Sequence, residues 1–154
     1  MNRDPAARRF RVGLDQYGLF PLALSPLNTL RWAEAHGAEG VAFSGFPSEQ
    51  QDAFTREGLA DLAAFAGERG LYLEWGGAQH IPRDMTTWER RELGGHNRRI
   101  AEQASWLGAH VIRSCSGGLM RWNPESPATE ALLRDTAAAL RSQRDMLRDL
   151  GVVL

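Results

Sequence analysis

At 154 residues with 43% hydrophobic side chains, the chain is large enough for one domain with its own core. A formal charge of -1, with acids and bases interspersed, leaves no basic stripe for a phosphate backbone, which sets nucleic acid aside in favour of a small neutral or anionic ligand. The single cysteine, Cys115, cannot close an internal disulfide, no run nears the roughly 18 apolar residues of a membrane span, and the arm of residues 1–9 has no apolar stretch behind its arginines, so a cytoplasmic setting away from the membrane is expected.

Phe10 to Leu14 is a short apolar run closed by Asp15, the first expected strand, and Tyr17 to Leu24 reads as a loop. Ser25-Pro26 offers an N-cap hydroxyl and a proline at the first helical position, which predicts a helix from Ser25 to His36 that Gly37 stops. Gly40 to Ser44 is the second strand, Glu57 to Arg69 a helix stopped by Gly70, and Leu71 to Trp75 the third strand. Thr86 with Glu89 has the spacing of a capping box for a third helix that carries Ile100, Ala104 and Leu107; Gly94-Gly95 either breaks that helix or marks its start. His110 to Cys115 is the fourth strand, and Ser126-Pro127 repeats the serine-proline device ahead of a helix from Pro127 to Leu150. Residues 1–9 read as a flexible arm.

Gly37, Gly70, Gly108 and Gly151 recur once per strand and helix, the period of a βα unit. The pattern predicts an α/β fold with a parallel sheet, the N-terminal part of a (βα)8 barrel with four units and the start of a fifth strand. A complete barrel needs about 250 residues. Gly151 to Leu154 opens a strand with no turn after it, so residues 1–154 are expected to be one partial domain. An open doubly wound sheet fits the same counts, although no G-x-G-x-x-G follows the first strand, where the turn is Asp15-Gln16-Tyr17-Gly18.

Several phrases of the chain resemble the xylose-isomerase-like TIM barrels, which include sugar-phosphate isomerases and epimerases and the endonuclease IV branch. They are Val12-Gly13-Leu14-Asp15, His36-Gly37-Ala38-Glu39-Gly40-Val41, Trp106-Leu107-Gly108-Ala109-His110-Val111-Ile112-Arg113 and Ser114-Cys115-Ser116-Gly117-Gly118. The resemblance implies a divalent metal (Mn, Mg, Co or Zn) held at the ends of strands five to eight, and a pair of glutamates that moves protons beside a carbonyl. Those ligands would lie beyond Leu154, so this chain alone is expected to hold no metal and to be inactive. The endonuclease branch uses histidines at strand ends three and four. Strand four here exits through Ser114, Cys115 and Ser116, which counts against that branch, and His80 matches the strand-three position only loosely.

Barrels present ligands at the C-terminal ends of their strands. The candidate substrate-binding residues are therefore Asp15, Tyr17, Glu74, Trp75, His80, Arg113 and Ser116, with Ser44 and Ser114 beside them. Trp75 offers a face for stacking on a sugar, Arg113 a planar fork for a carboxylate or phosphate, and His80 a group that titrates near neutral pH. Each has a structural counterpart: a turn cap for Asp15, an ion pair between Glu74 and Arg113, a loop hydrogen bond for His80. The expected partner is a sugar or polyol, and the reaction of the parent enzyme is proton transfer through an enediolate. The alternatives are a half-barrel that binds or self-assembles through its open strand edges without catalysis, and an open-sheet ligand-binding domain.

Overall fold

Side-chain hydroxyls start the first two helices. In this computed structural model, which describes residues 10–44, 54–84, 87–114 and 127–154, Ser25 Oγ accepts the Asn28 N–H at 3.3 Å and opens α1 (Pro26–Ala35). Thr55 Oγ1 accepts the Gly58 N–H at 3.1 Å and opens α2 (Arg56–Glu68). For α3 (Gly94–Leu107) the expected Thr86–Glu89 box is corrected: the helix starts at Gly94, where the Glu92 carboxylate takes the N–H of Gly94 and, at 3.2 Å, that of Gly95. A carboxylate at this point answers both the free N–H groups and the positive end of the helix dipole. Left-handed glycines, with φ between +65° and +74°, follow α1, α2, α3 and α4 (Pro127–Asp149) and turn the chain into the next strand.

The strands are β1 (Leu14–Asp15), β2 (Gly40–Phe43), β3 (Tyr72–Ala78) and β4 (Ile112–Ser114). All pair in parallel and lie side by side in chain order. Val153 bridges in parallel to Val111, its N–H donating to His110 C=O at 2.9 Å, so a fifth strand begins on the free side of β4. A doubly wound sheet would place later strands on both sides of the first; consecutive order is the barrel's order, and the open-sheet alternative falls.

Two strand boundaries differ from expectation. The first strand is reduced to Leu14–Asp15, and the expected loop after it is a 3-10 helix over Gln16–Leu22 capped by Asp15. Strand β3 runs on through Gly76-Gly77, where it uses one more residue than β4 between the pairs Trp75↔Ile112 and Ala78↔Ser114, a β-bulge. The arm of residues 1–9, Thr86, Cys115 and Ser116 lie outside the described residues.

Alternation along the strands gives the sheet two unlike faces. Val41, Phe43, Trp75 and Ile112 face the helices and are buried with Leu30 and Ala33 of α1, Leu59, Leu62 and Ala66 of α2, Ala101, Ala104 and Leu107 of α3, and Leu147 of α4. Each helix packs on the next, which makes a single outer layer. The other face carries Asp15, Ala42, Glu74 and Arg113. Among the described residues no helix is long and apolar enough to cross a membrane.

Candidate functional site

Asp15 ends β1 and caps the helix that follows, so its carboxylate stands at the C-terminal rim of the sheet. Oδ1 accepts the Tyr17 N–H at 2.9 Å and the Ser44 hydroxyl, while Oδ2 accepts Nη1 of Arg113. Arg113 Nε lies 3.9 Å from Glu74 Oε2. Asp15 thus fills its structural role as a turn cap and joins a site-facing array at once.

This array reports the shape of the sheet. Strands stand about 4.8 Å apart, so the ends of β1 and β4 in a flat sheet would be about 14 Å apart, a gap that Asp and Arg side chains barely span even when stretched. Their direct contact reflects a sheet curled toward this face, as barrel closure requires. Ala42, the register partner of both Asp15 and Glu74, has only a methyl group there and leaves room for the guanidinium. Burial pushes the Asp15 carboxyl up, but hydrogen bonds from Ser44, the Tyr17 amide and Arg113, with the guanidinium charge, outweigh it and hold the group below its ordinary 3.8.

His80 sits in the loop after β3, with Nδ1 in hydrogen-bond contact with Ser114 Oγ at the end of β4. Partial burial holds its imidazole below the ordinary 6.5, which favours the neutral ring at pH 7. The strand ends therefore present two groupings, Asp15, Glu74 and Arg113 with Ser44, and His80 with Ser114.

The remaining candidates divide. Tyr17 is 71% exposed beside Phe20, on the helix after β1. Trp75 is a correction: it is 4% exposed and packs edge-on against Phe43 and Phe54 on the helix side of the sheet, so its ring is closed to a sugar. Strand alternation is the reason, since Glu74 faces the concave side and the next residue must face away. Ser116 lies outside the described residues. Of the histidines set aside, His36 Nδ1 meets Trp32 C=O at 2.7 Å, His110 Nδ1 meets Gly151 C=O at 3.2 Å, and His96 Nε2 meets Gly77 C=O at 2.7 Å.

Two buried polar residues are absent from the sequence-based candidates: Asn97, which bonds Gln79 just after β3, and Gln143, which bonds Asn97. The signal was present: each falls on the apolar phase of its helix, Asn97 with Ala101 and Ala104, Gln143 with Leu147. Among the described residues no group of three or more His, Cys, Asp or Glu could hold a metal ion, and a guanidinium already joins the two strand-end carboxylates, so these residues do not fit a divalent cation.

No protein-family model and no curated protein sequence matches the chain. Solved structures do. A D-psicose 3-epimerase determined in the presence of D-fructose superposes with a TM-score of 0.67 at 14% identity, over 93% of this chain and 50% of that one. The fold is that of half a TIM barrel. A D-psicose 3-epimerase from Clostridium cellulolyticum H10, solved with D-tagatose, gives 0.64 at 10% identity over 93% and 50%. A xylose isomerase domain protein from Planctomyces limnophilus gives 0.51 at 17% identity over 80% and 45%. The half-barrel spans about half the length of these proteins, and the likeness is one of fold.

Proposed function

We propose that the chain is the N-terminal half of a sugar isomerase or epimerase barrel, and that its strand ends form the part of the site that grips a neutral polyhydroxylated substrate. The observation that carries this reading is the Asp15–Arg113–Glu74 array on the concave face. Charged side chains from β1, β3 and β4 meet there, with Ser44 from the end of β2. The carboxylates accept sugar hydroxyls, and the guanidinium donates to a hydroxyl or carbonyl oxygen. Two carboxylates against one guanidinium leave a net negative site, which supports a free sugar over a phosphorylated one. That neighbours of this fold were solved with D-fructose and D-tagatose supports a sugar as the substrate class. The reaction of the whole barrel is then proton transfer beside the carbonyl, with its divalent metal and proton-carrying glutamates on strands five to eight.

The array contributes little to stability. Asp15 and Arg113 side chains are 38% and 42% exposed, so screening limits their ion pair to about 1 kcal/mol or less and an Arg113→Met variant should fold. Chemical-shift mapping by NMR tests the reading. D-fructose and D-tagatose are expected to move the resonances of Asp15, Ser44, Glu74 and Arg113 at millimolar concentration, D-fructose 6-phosphate to do so more weakly, and Arg113→Met to lose the response. Sugar shifts that spread over the helix layer, or persist in the variant, would sink it.

A second reading is a half-barrel that assembles without catalysis. Phe10 and Val12 on the β1 side are 77% and 62% exposed, and Val153 on the β4 side is 62% exposed. A cavity of about 650 Å³ lies between α4 and the last residues, lined by Leu140, Leu147, Val152 and Leu154 among others.

A further inference from the structure

Asn97, in the first turns of α3, is 1% exposed, and its amide is fully engaged. Oδ1 accepts the Gln79 N–H at 2.8 Å, and Nδ2 donates to Gln79 C=O at 2.6 Å and to Gln143 Oε1 of α4 at 2.6 Å. Gln143, 5% exposed, donates its own Nε2 to Ala139 C=O at 2.9 Å. That bond settles which way both amides point. With Nε2 of Gln143 on a carbonyl, its Oε1 must face Asn97, where only Nδ2 can donate; a flipped Asn97 would set oxygen against oxygen and N–H against N–H.

Both main-chain polar groups of Gln79 are thereby held, one residue ahead of His80. The adjacent His96 holds Gly77 C=O, so the start of α3 grips the β3 exit at two points. Buried amides from two helices cost desolvation unless every partner is made, and here Asn97 spends its bonds on the two peptides that flank Gln79, the second of which leads into His80. The far part of the same loop has a separate tether, Arg83 Nε to Asp135 Oδ2 at 2.9 Å.

We propose that Asn97, oriented by Gln143, is a positioning residue that sets His80 against Ser114 at the substrate end of the sheet. The role presupposes the sugar-site reading, but its test needs no sugar. The measurement is the ring 15N shifts and pH titration of His80 in the 154-residue chain, compared with Asn97→Ala, Gln143→Leu and Asp135→Ala. In the first two variants the ring shifts are expected to change and the midpoint to rise by about half a unit or more, close to threefold in the proton constant. Asp135→Ala, which removes the partner of Arg83 and Arg90 and leaves every bond of Asn97 in place, is expected to leave both unchanged.

An unmoved His80 in Asn97→Ala and Gln143→Leu overturns the proposal, as does an equal movement in Asp135→Ala. If a variant fails to fold, hydrogen exchange at the Gln79 amide of the unaltered chain decides: protection supports the clamp, and exchange at the free-peptide rate overturns it. A chain in which His80 responds to these substitutions but no sugar binds would defeat the sugar reading and leave the clamp standing.

Discussion

His80 and Asp15 stand at the same end of the sheet and are tuned in ways that both favour the form present at neutral pH. Asp15 is kept ionised by its donors, and His80 is kept neutral by burial. The His80 shift carries a stability consequence with a definite sign. Because its folded value lies below the unfolded one, the unfolded chain binds more protons between the two, so the contribution is complete above about 6.5 and is lost as pH falls through the folded value. Urea unfolding between pH 7.5 and 5 should therefore show stability falling on the acid side, and His80→Gln should remove that part of the slope. An identical slope in the variant would mean that burial of His80 is not its source. At this scale the strand-end placement of Asp15, Glu74 and Arg113 is legible from position alone: a polar residue at a strand end is a candidate in any barrel. Trp75 was misread because one residue of register reverses a side chain from site to core.

At the scale of elements, β3 does the most to place the site. Its bulge at Gly76-Gly77 extends the strand and carries the chain from Glu74 on the concave face to the loop that holds His80. Gly76 lies close under its neighbour: a Cβ there would stand 2.6 Å from the carbonyl oxygen of Phe43 and from Cα of Ser44. Both are backbone atoms, so the strand pair itself would have to separate. Gly76→Ala is expected to cost about 1–3 kcal/mol in urea unfolding and to disturb Ser44, which bonds Asp15. A variant as stable as the parent would show that β2 and β3 have freedom this packing does not suggest. The start of α3 teaches a related point. Thr86 and Glu89 have the spacing of a capping box, yet Glu92 caps the helix at Gly94, because the chain around Glu89 is tied elsewhere, the Asp84 N–H to Glu89 C=O at 2.8 Å and the Arg91 N–H to Pro82 C=O at 2.9 Å.

For the whole molecule the consequence of consecutive parallel order is two unlike strand edges, β1 on one side and the start of the fifth strand on the other. Both carry exposed apolar residues, and unpaired edges of that kind associate unless charged or covered. Two copies would bring the eight βα units that close a barrel. Sedimentation equilibrium of the chain is expected to show a dimer or larger species, with Val12→Lys and Val153→Lys together shifting it to monomer. A monomer at every concentration would set self-assembly aside and leave a covalent second half as the partner of these edges.

The sequence by itself determined the elements and their alternation. Hydroxyl caps, helix-ending glycines and short apolar runs are local signals whose physics acts within a few residues, which is why α1, α2, β2 and α4 fall within a residue or two of where Ser25, Gly70, Val41 and Pro127 put them. It also brought the strand-end residues forward, since the end of a strand is a place along the chain. Strand order, curl and register are not local. They arise when helices and strands bury their apolar faces together, and only then does it emerge that Arg113 reaches Asp15 across two intervening strands, that Trp75 turns into the core, and that Asn97, whose place on the apolar phase of α3 marks it as buried but not what it bonds, grips the peptide before His80.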